Sequence, residues 1–341
     1  MRMQILGVGL IALTAIASVQ PSAVAQEDKK AVEILAAARK AIGGKKLESL
    51  KSLSVQAATQ RNAGNFQMNS DLELLVELPD KYMRSESSSS AMVNMANTMG
   101  FNGDRPLKST APAGMAPGGG MIIRMGGPGG PAFSSGEKPT PEQQQQIDRQ
   151  MVRASRHDIS RLMLGWFAMT HPSLTAQFTY TGEAESPDGK AYIIDVKNAE
   201  GFAARLFIDE KTQLPLMVTY QGPQPRIVTA GGPRPAPGGA QPSPQTQPRQ
   251  PTLQQMSPQQ VNDDERRKLA ADADRQIREM EKQPPAMVEY TLFFDDWREE
   301  DGIKFPHALR RASAGTTTEE WTVSKIKVNP KIDPKKFETE G

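Results

Sequence analysis

The chain has 341 residues, 23% of them charged, and its 41 Lys and Arg nearly balance its 39 Asp and Glu. This balance leaves no broad basic field for nucleic acid, so we expect no nucleic-acid partner. The chain contains no cysteine, which excludes thiol nucleophiles, thiolate metal sites, iron–sulfur clusters and disulfides.

The N-terminus has the features of a secretory signal peptide. Arg2 supplies a positive charge, Ile5 to Val19 is an apolar run too short to span a bilayer comfortably, and small residues follow at 23–25. We predict a signal peptide over residues 1–25, followed by a single domain over 26–341. The mature protein is expected to be periplasmic or secreted, soluble after cleavage and without a stable membrane span.

Two stretches of low complexity interrupt the predicted domain. Residues 107–140 are rich in Gly, Pro and Met, and residues 222–261 are rich in Pro, Gln and Gly. Such sequences bury too little apolar surface to offset the entropy of ordering them. Because strand-like segments flank both stretches, we interpret them as insertions within one domain.

The first elements are a helix and a set of strands. Apolar spacing predicts a helix over Glu27 to Ile42, with Val32, Leu35 and Ile42 on its apolar stripe. Strands are predicted over 53–61, 66–78 and from Lys81. Leu72, Leu74 and Val76 alternate along the second of these and should share one face. Met92, Met95 and Met99 are spaced three and four residues apart, which indicates a short helix.

A long helix follows the first insertion. Thr140 and Pro141 have the sequence of a helix start, and the helix should run to about Met169. Its second half is strongly apolar and includes Leu162, Met163 and Trp166. We expect this half to lie against the sheet.

The remainder of the chain is largely strand. Residues 178–220 alternate between apolar and other side chains and contain tight polar turns, which predicts an antiparallel meander. Tyr192, Ile194 and Val196 share one face of its second strand. A highly charged helix is predicted over 263–282, and three closing strands over 287–297, 303–312 and 317–328. The fold class is therefore α+β, with helices on one face of a curved open antiparallel sheet.

Four groups of residues resemble the LolA-like family of outer-membrane lipoprotein-sorting proteins and periplasmic lipid carriers. They are Ala41-Ile42-Gly43-Gly44 with Leu47 to Leu53, Leu78-Pro79-Asp80-Lys81-Tyr82, Ile208 to Thr212 with Leu214-Pro215-Leu216, and Phe294-Asp295-Asp296-Trp297 through Gly302 to Pro306 and on to Val328-Asn329-Pro330. The resemblance implies a half-barrel sheet with helices on its concave face and a cavity for acyl chains between them.

Catalytic and cofactor motifs are not evident in this sequence. His157 is interpreted as a surface residue on the long helix, and His307 as a partly buried structural residue. The many methionines between Met83 and Met125 are typical of an adaptable apolar pocket, and binding of Cu(I) is the less favoured alternative. We predict no metal, no cofactor and no enzymatic activity.

The favoured function is a non-enzymatic periplasmic carrier or sensor of a lipid-like ligand or a lipoprotein acyl chain. The alternative is an envelope scaffold or assembly protein with a packed core, whose proline-rich arms bind protein partners. The predicted apolar lining consists of Leu72, Leu74, Val76, Met92, Met95, Leu162, Met163, Trp166, Tyr192, Ile194 and Val196.

Overall fold

The computed structural model describes residues 28–63, 66–89, 94–108, 140–187, 189–224, 275 and 286–338. The predicted signal peptide and nearly all of the two insertions and of the charged helix 263–282 lie outside the described residues. The predicted division of the chain into a signal peptide and one interrupted domain therefore stays a prediction.

Three α-helices and twelve strands make up the described chain. The helices are α1 (Lys29–Ile42), α2 (Lys45–Glu48) and α3 (Pro141–Phe167), and a 3-10 helix (Pro334–Phe337) lies near the C-terminus. The strands are β1 (Ser52–Ala63), β2 (Phe66–Glu77), β3 (Lys81–Ser89), β4 (Asn94–Asn102), β5 (Arg105–Lys108), β6 (Gln177–Ser186), β7 (Gly189–Lys197), β8 (Ala203–Asp209), β9 (Pro215–Pro223), β10 (Met287–Glu300), β11 (Ile303–Ser313) and β12 (Thr316–Val328).

All twelve strands belong to one antiparallel sheet in the order β5-β4-β3-β2-β1-β12-β11-β10-β9-β8-β7-β6. Every neighbouring pair is consecutive in the chain except β1 and β12, which pair from Leu53 opposite Val328 to Arg61 opposite Glu319. Strands β5 and β6 are the two open edges. The predicted fold class, a curved open antiparallel sheet with helices on its concave face, is confirmed.

The N-terminal helix is shorter than predicted and buries Leu35 and Ile42 of the predicted stripe but not Val32. Asp28 caps α1, accepting hydrogen bonds from the backbone N–H groups of Lys30 (3.0 Å) and Ala31 (3.2 Å). Val32, which we expected on the buried stripe, is 41% exposed. Small alanines allow the helix to approach closely, and the buried stripe consists of Ala31, Ile34, Leu35, Ala38 and Ile42.

The long helix is confirmed, including its start. The Thr140 side chain accepts from the backbone of Gln143, and the Gln143 side chain accepts in return from the backbone of Thr140, which forms a capping box. Pro141 occupies the first turn, and α3 ends at Phe167, close to the predicted end.

The short helix predicted around Met92, Met95 and Met99 is wrong. Residues 94–102 form strand β4, which pairs with β3 along its length, with Met99 opposite Arg84. Without β4, strand β3 would be an edge strand with unpaired backbone groups, and pairing with β4 satisfies them. The stabilisation from this pairing outweighs the local helix preference that the spacing of three methionines indicates. Met92 and the side chain of Met95 lie outside the described part of the chain.

A small second core lies on the outer face of the sheet. Leu75 breaks the alternation of β2 because it packs there with Met83 and Leu107, beneath Phe337 of the 3-10 helix. The carbonyl of Phe337 accepts from Asn102 Nδ2 at 3.2 Å. The C-terminal segment therefore covers an apolar patch on the face opposite α1 and α3.

Gly165 allows α3 to lie directly on β10. A Cβ atom at this position would overlap the ring of Phe294. We expect Gly165→Ala to destabilise the protein by about 1–3 kcal/mol, because helix and strand must separate, although alanine normally favours a helix over glycine. Urea unfolding checks this, with Gln146→Ala on the exposed side of α3 as a near-neutral control; an unchanged or higher midpoint for Gly165→Ala would contradict the close approach.

Candidate functional site

The concave face of the sheet carries an apolar region where α1 and α3 lie. Each apolar residue predicted as lining, where its side chain is described, belongs to this region or packs against it. Leu72, Leu74, Val76, Leu162, Met163, Trp166, Ile194 and Val196 are all buried, and Tyr192 is partly buried at the margin. The structure thus brings these residues into one core, where they contact the protein itself; a role in lining a ligand stays a prediction.

The C-terminal end of α3 is fixed by aromatic packing. Trp166 and Phe167 both contact Phe305 of β11, with ring centroids 5.1 Å and 5.2 Å away. Aromatic pairs at this distance contribute beyond the area they bury. This end of the helix is therefore attached to β11 through aromatic contacts.

A buried cluster of charges, which sequence reasoning missed, lies beside this apolar region. Arg84 of β3 is 3% exposed and stands at its centre. Its Nε donates to Glu86 Oε1 at 2.7 Å and its Nη2 to Glu319 Oε1 at 2.9 Å. The ring of Trp321 lies 4.8 Å from the guanidinium carbon. Such a charge is tolerated in a core only because it is paired and hydrogen-bonded.

Two further arginines complete the sheet side of the cluster. Arg61 Nη2 lies 2.6 Å from Glu86 Oε1 and 3.1 Å from Glu319 Oε1. Arg311 Nη1 lies 2.9 Å from Glu319 Oε2. Glu319 is therefore the common partner of three guanidinium groups. Burial alone would raise the pKa of Glu319, but Arg311, Arg84 and Arg61 together hold it far below its usual value.

Asp158 connects α3 to this cluster. It accepts from the Tyr82 hydroxyl at 3.0 Å and from Arg84 Nη1 at 3.4 Å, and Arg311 Nη2 lies 3.8 Å away. Burial would raise the pKa of Asp158, but Arg84 and Arg311 outweigh it and lower the pKa below its ordinary value. The carboxylate is thus ionised at neutral pH and attaches the middle of α3 to β3 and β11.

The sequence signal for this cluster lies in the strand alternation. Arg84 and Glu86 fall on the same face as Tyr82, and Glu319 falls on the same face as Trp321. Charged residues at positions that alternation assigns to the core indicate a buried polar network. The network becomes evident only once β1 is paired with β12, because this pairing places Arg61 opposite Glu319 from the other end of the chain.

The histidines are more buried than the sequence indicates. His157, interpreted as a surface residue, packs edge-on against Phe202 at 5.3 Å, which corrects that interpretation. His307, expected to be partly buried, is buried, with Nδ1 3.2 Å from the Phe305 carbonyl. His171 is buried against Phe101. Burial, assisted by nearby arginines, lowers the pKa of both His157 and His171 to about 4.

These two histidines should make the protein acid-sensitive. Because their folded pKa lies below the unfolded value, the unfolded state binds more protons between about pH 6.5 and 4, so stability is lost as the pH falls through this window. We expect the free energy of unfolding to fall by about 2 kcal/mol per histidine between pH 7 and pH 4.5. Urea unfolding at both pH values checks this; His171→Asn should remove about half of the difference, and an equal difference in that variant would contradict the assignment.

Two open depressions lie away from the covered concave face. One, of about 370 Å³, lies mainly on the outer face and includes Gln60, Asp71 and Glu320. The other, of about 480 Å³, lies beside α2 and includes Lys46 and Asn329. Neither is lined by the predicted apolar lining residues.

The described residues contain no group of three or more His, Asp or Glu side chains arranged to hold a metal ion. None of the helices in this part of the chain combines the length and the hydropathy needed to cross a membrane.

Comparisons with known proteins identify similar folds only among solved structures. No protein-family model and no curated protein matches the sequence. A LolA superfamily protein from Nitrosomonas europaea is 9% identical, with a TM-score of 0.44, and the match covers 91% of this chain and 98% of that one. A DUF1329 family protein from Desulfovibrio piger is 8% identical, with a TM-score of 0.38 over 90% and 97% of the two chains.

A third structure, described as an outer membrane lipoprotein-sorting protein domain from Vibrio parahaemolyticus, is 9% identical, with a TM-score of 0.37 over 91% and 96% of the chains. At these identities the comparisons concern the fold alone. The first and third of these structures carry descriptions that match the family which the sequence motifs resemble.

Proposed function

We propose that this protein is a non-enzymatic periplasmic carrier or sensor, which holds a lipid-like ligand or the acyl chain of a lipoprotein between the concave sheet face and α3. The observation that carries the proposal is the attachment of α3. One end rests on apolar side chains, and the middle is held by Asp158 on buried arginines. This arrangement gives a helix that an apolar ligand can replace without unfolding the sheet.

The free energy gained by burying an acyl chain is comparable in size with the free energy lost when apolar side chains of α3 are exposed. Burying an acyl chain stabilises by about 0.8 kcal/mol per methylene, and a buried side chain contributes about 1.5–3 kcal/mol. Leu162, Met163 and Trp166 are apolar residues of α3 and are all buried. A long acyl chain in their place offsets their exposure.

The Asp158 attachment is suited to a reversible cover. A buried ion pair recovers in Coulomb attraction little more than its desolvation costs, so it fixes a geometry while adding little net stability. Arg84 keeps Glu86 and Glu319 as partners when Asp158 moves away, so release of α3 leaves the sheet side of the cluster paired. The ion pairs of Asp158 thereby define one position for α3, and α3 can leave this position and return to it.

The second candidate is an envelope scaffold. It is favoured by the covering of the concave face, where the described lining residues are buried by the protein's own side chains. In this function the core stays closed, and the proline-rich sequences 107–140 and 222–261 bind protein partners in extended form. Ligand uptake distinguishes the two.

Asp158→Asn should increase ligand uptake. Weakening the attachment raises the population of the open helix, and a change of about 1.4 kcal/mol gives roughly tenfold tighter apparent binding. Titration with a fluorescent long-chain fatty acid measures the affinity, and native mass spectrometry of protein from its own envelope detects a bound lipid.

Asp148→Asn is the matched control, because its carboxylate accepts from Gln144 one turn earlier on the same helix at 2.7 Å. It should bind as the wild type does. Wild type and Asp158→Asn that both stay free of lipid and take up no fatty acid would support the scaffold and contradict the carrier.

A further inference from the structure

Arg161 of α3 is a cation without a carboxylate partner among the residues the structure describes. Its guanidinium carbon lies 4.0 Å from the ring centroid of Tyr220 and 5.7 Å from that of Phe202. Its Nε is buried and has no hydrogen-bond acceptor in the described chain. Stacking on aromatic rings holds the group in one plane but leaves its donors unused.

Arg311 and Arg161 interact electrostatically with the same two neighbours, Tyr220 and Asp158. Its Nη1 is paired with Glu319, but its Nη2 is 3.8 Å from Asp158 Oδ1, beyond hydrogen-bond distance, and its Nε is likewise buried without an acceptor. Burial lowers the pKa of Arg161, Tyr220 and Asp158 counteract this, and repulsion from Arg311 lowers it further. Two guanidinium groups with unused donors therefore face the same neighbourhood.

Among the described residues, this cluster consists of Arg61, Arg84, Arg161, Arg311, Glu86, Asp158 and Glu319. Within this described set, Arg161 has no carboxylate within ion-pair distance. An uncompensated charge in a partly buried setting is costly, and a bound anion would remove that cost.

The cluster is accessible on one side. The side chains of Arg84 and Glu319 at its centre are 4% and 3% exposed, whereas those of Asp158 and Arg311 are 20% and 19% exposed. Solvent therefore reaches the cluster at Asp158 and Arg311, whereas the Nε atoms of Arg161 and Arg311 are themselves buried.

We propose that Arg161 and Arg311 bind one anionic group, a carboxylate or a phosphate, at the polar end of the concave face. This inference rests on the proposed function in taking that group to be the head of the acyl ligand. Guanidinium groups donate paired N–H hydrogen bonds to the oxygens of a carboxylate or a phosphate. The hydrogen bonds that they donate to a neutral head group are weaker. The ligand class is thus an anionic amphiphile, with its chain directed along the apolar part of the face.

The test compares a fatty acid, an alkyl phosphate and a fatty alcohol of equal chain length. We expect the two anions to bind about tenfold or more tightly than the alcohol. Arg161→Gln should abolish this preference while leaving the affinity for the alcohol unchanged, and Arg161→Lys should restore part of it. Arg149→Gln, on the exposed side of the same helix, is the control and should retain the full preference.

Inorganic phosphate gives a second readout that needs no chain. It should shift the arginine Nε–H resonance of Arg161 in NMR spectra, and this resonance is absent from Arg161→Gln. If phosphate alone binds as tightly as the alkyl phosphate, the source of the anion is a free ion. If no chain binds but phosphate still shifts the resonance, the anion site stands and the carrier function fails. Equal binding of acid and alcohol, or no shift with phosphate, would overturn the anion site.

Discussion

Glu319→Gln is expected to destabilise the protein by about 3–5 kcal/mol, the cost of leaving buried charges without their partner. Glu319 is the common acceptor for Arg61, Arg84 and Arg311. The substitution keeps the size of the side chain and removes only its charge. The decrease in the free energy of unfolding therefore reports the cost of guanidinium groups left without their carboxylate partner, and it contains no contribution from a cavity.

The matched control for this variant is Glu320→Gln, the next residue on β12, which faces the outer side and is exposed. It should change the free energy of unfolding by less than about 0.5 kcal/mol. Urea unfolding at neutral pH gives both values. Equal midpoints for the two variants would mean that the buried cluster is not held together by Glu319.

Trp166→Ala is expected to cost about 3–5 kcal/mol, because it removes a large buried aromatic side chain from between α3 and β11. Trp166 is buried and contacts both Phe167 and Phe305. The void that remains lies where the carrier proposal places the acyl chain. A fatty acid should therefore raise the melting temperature of this variant by more than that of the wild type.

Leu216→Ala removes a side chain that is 41% exposed on β9 and serves as the control. It should lose little stability and gain nothing from the fatty acid beyond what the wild type gains. If Trp166→Ala loses stability but the fatty acid does not restore any of it, the space beneath α3 is not a ligand site.

Much of the fold follows from local patterns in the sequence. Alternation along residues 178–220 predicts β6 to β9, and Thr140 with Pro141 predicts the start of α3. These signals are local, because alternation and capping depend on residues a few positions apart. The same patterns place Leu72, Leu74 and Val76 on the covered face.

The features that sequence reasoning missed depend on distant residues. The pairing of Arg61 with Glu319 joins positions 258 residues apart, and the burial of Arg84 depends on it. Residues 94–102 form strand β4 because they pair with β3 and satisfy its backbone hydrogen bonds, although the methionine spacing favours a helix. Leu75 is buried by Phe337 from the other end of the chain. Local propensity yields to such tertiary contacts.

The carrier function requires that α3 move away from the concave face to admit a ligand. Because the chain has no cysteine, spin labels can be placed cleanly at Arg149→Cys on the exposed side of α3 and at Lys325→Cys on the outer face of β12. The distance between the labels, measured by pulsed electron paramagnetic resonance, should increase by several ångström when a long-chain fatty acid binds. Binding with an unchanged distance, or no binding at all, would rule out this opening of α3 as the route for a ligand.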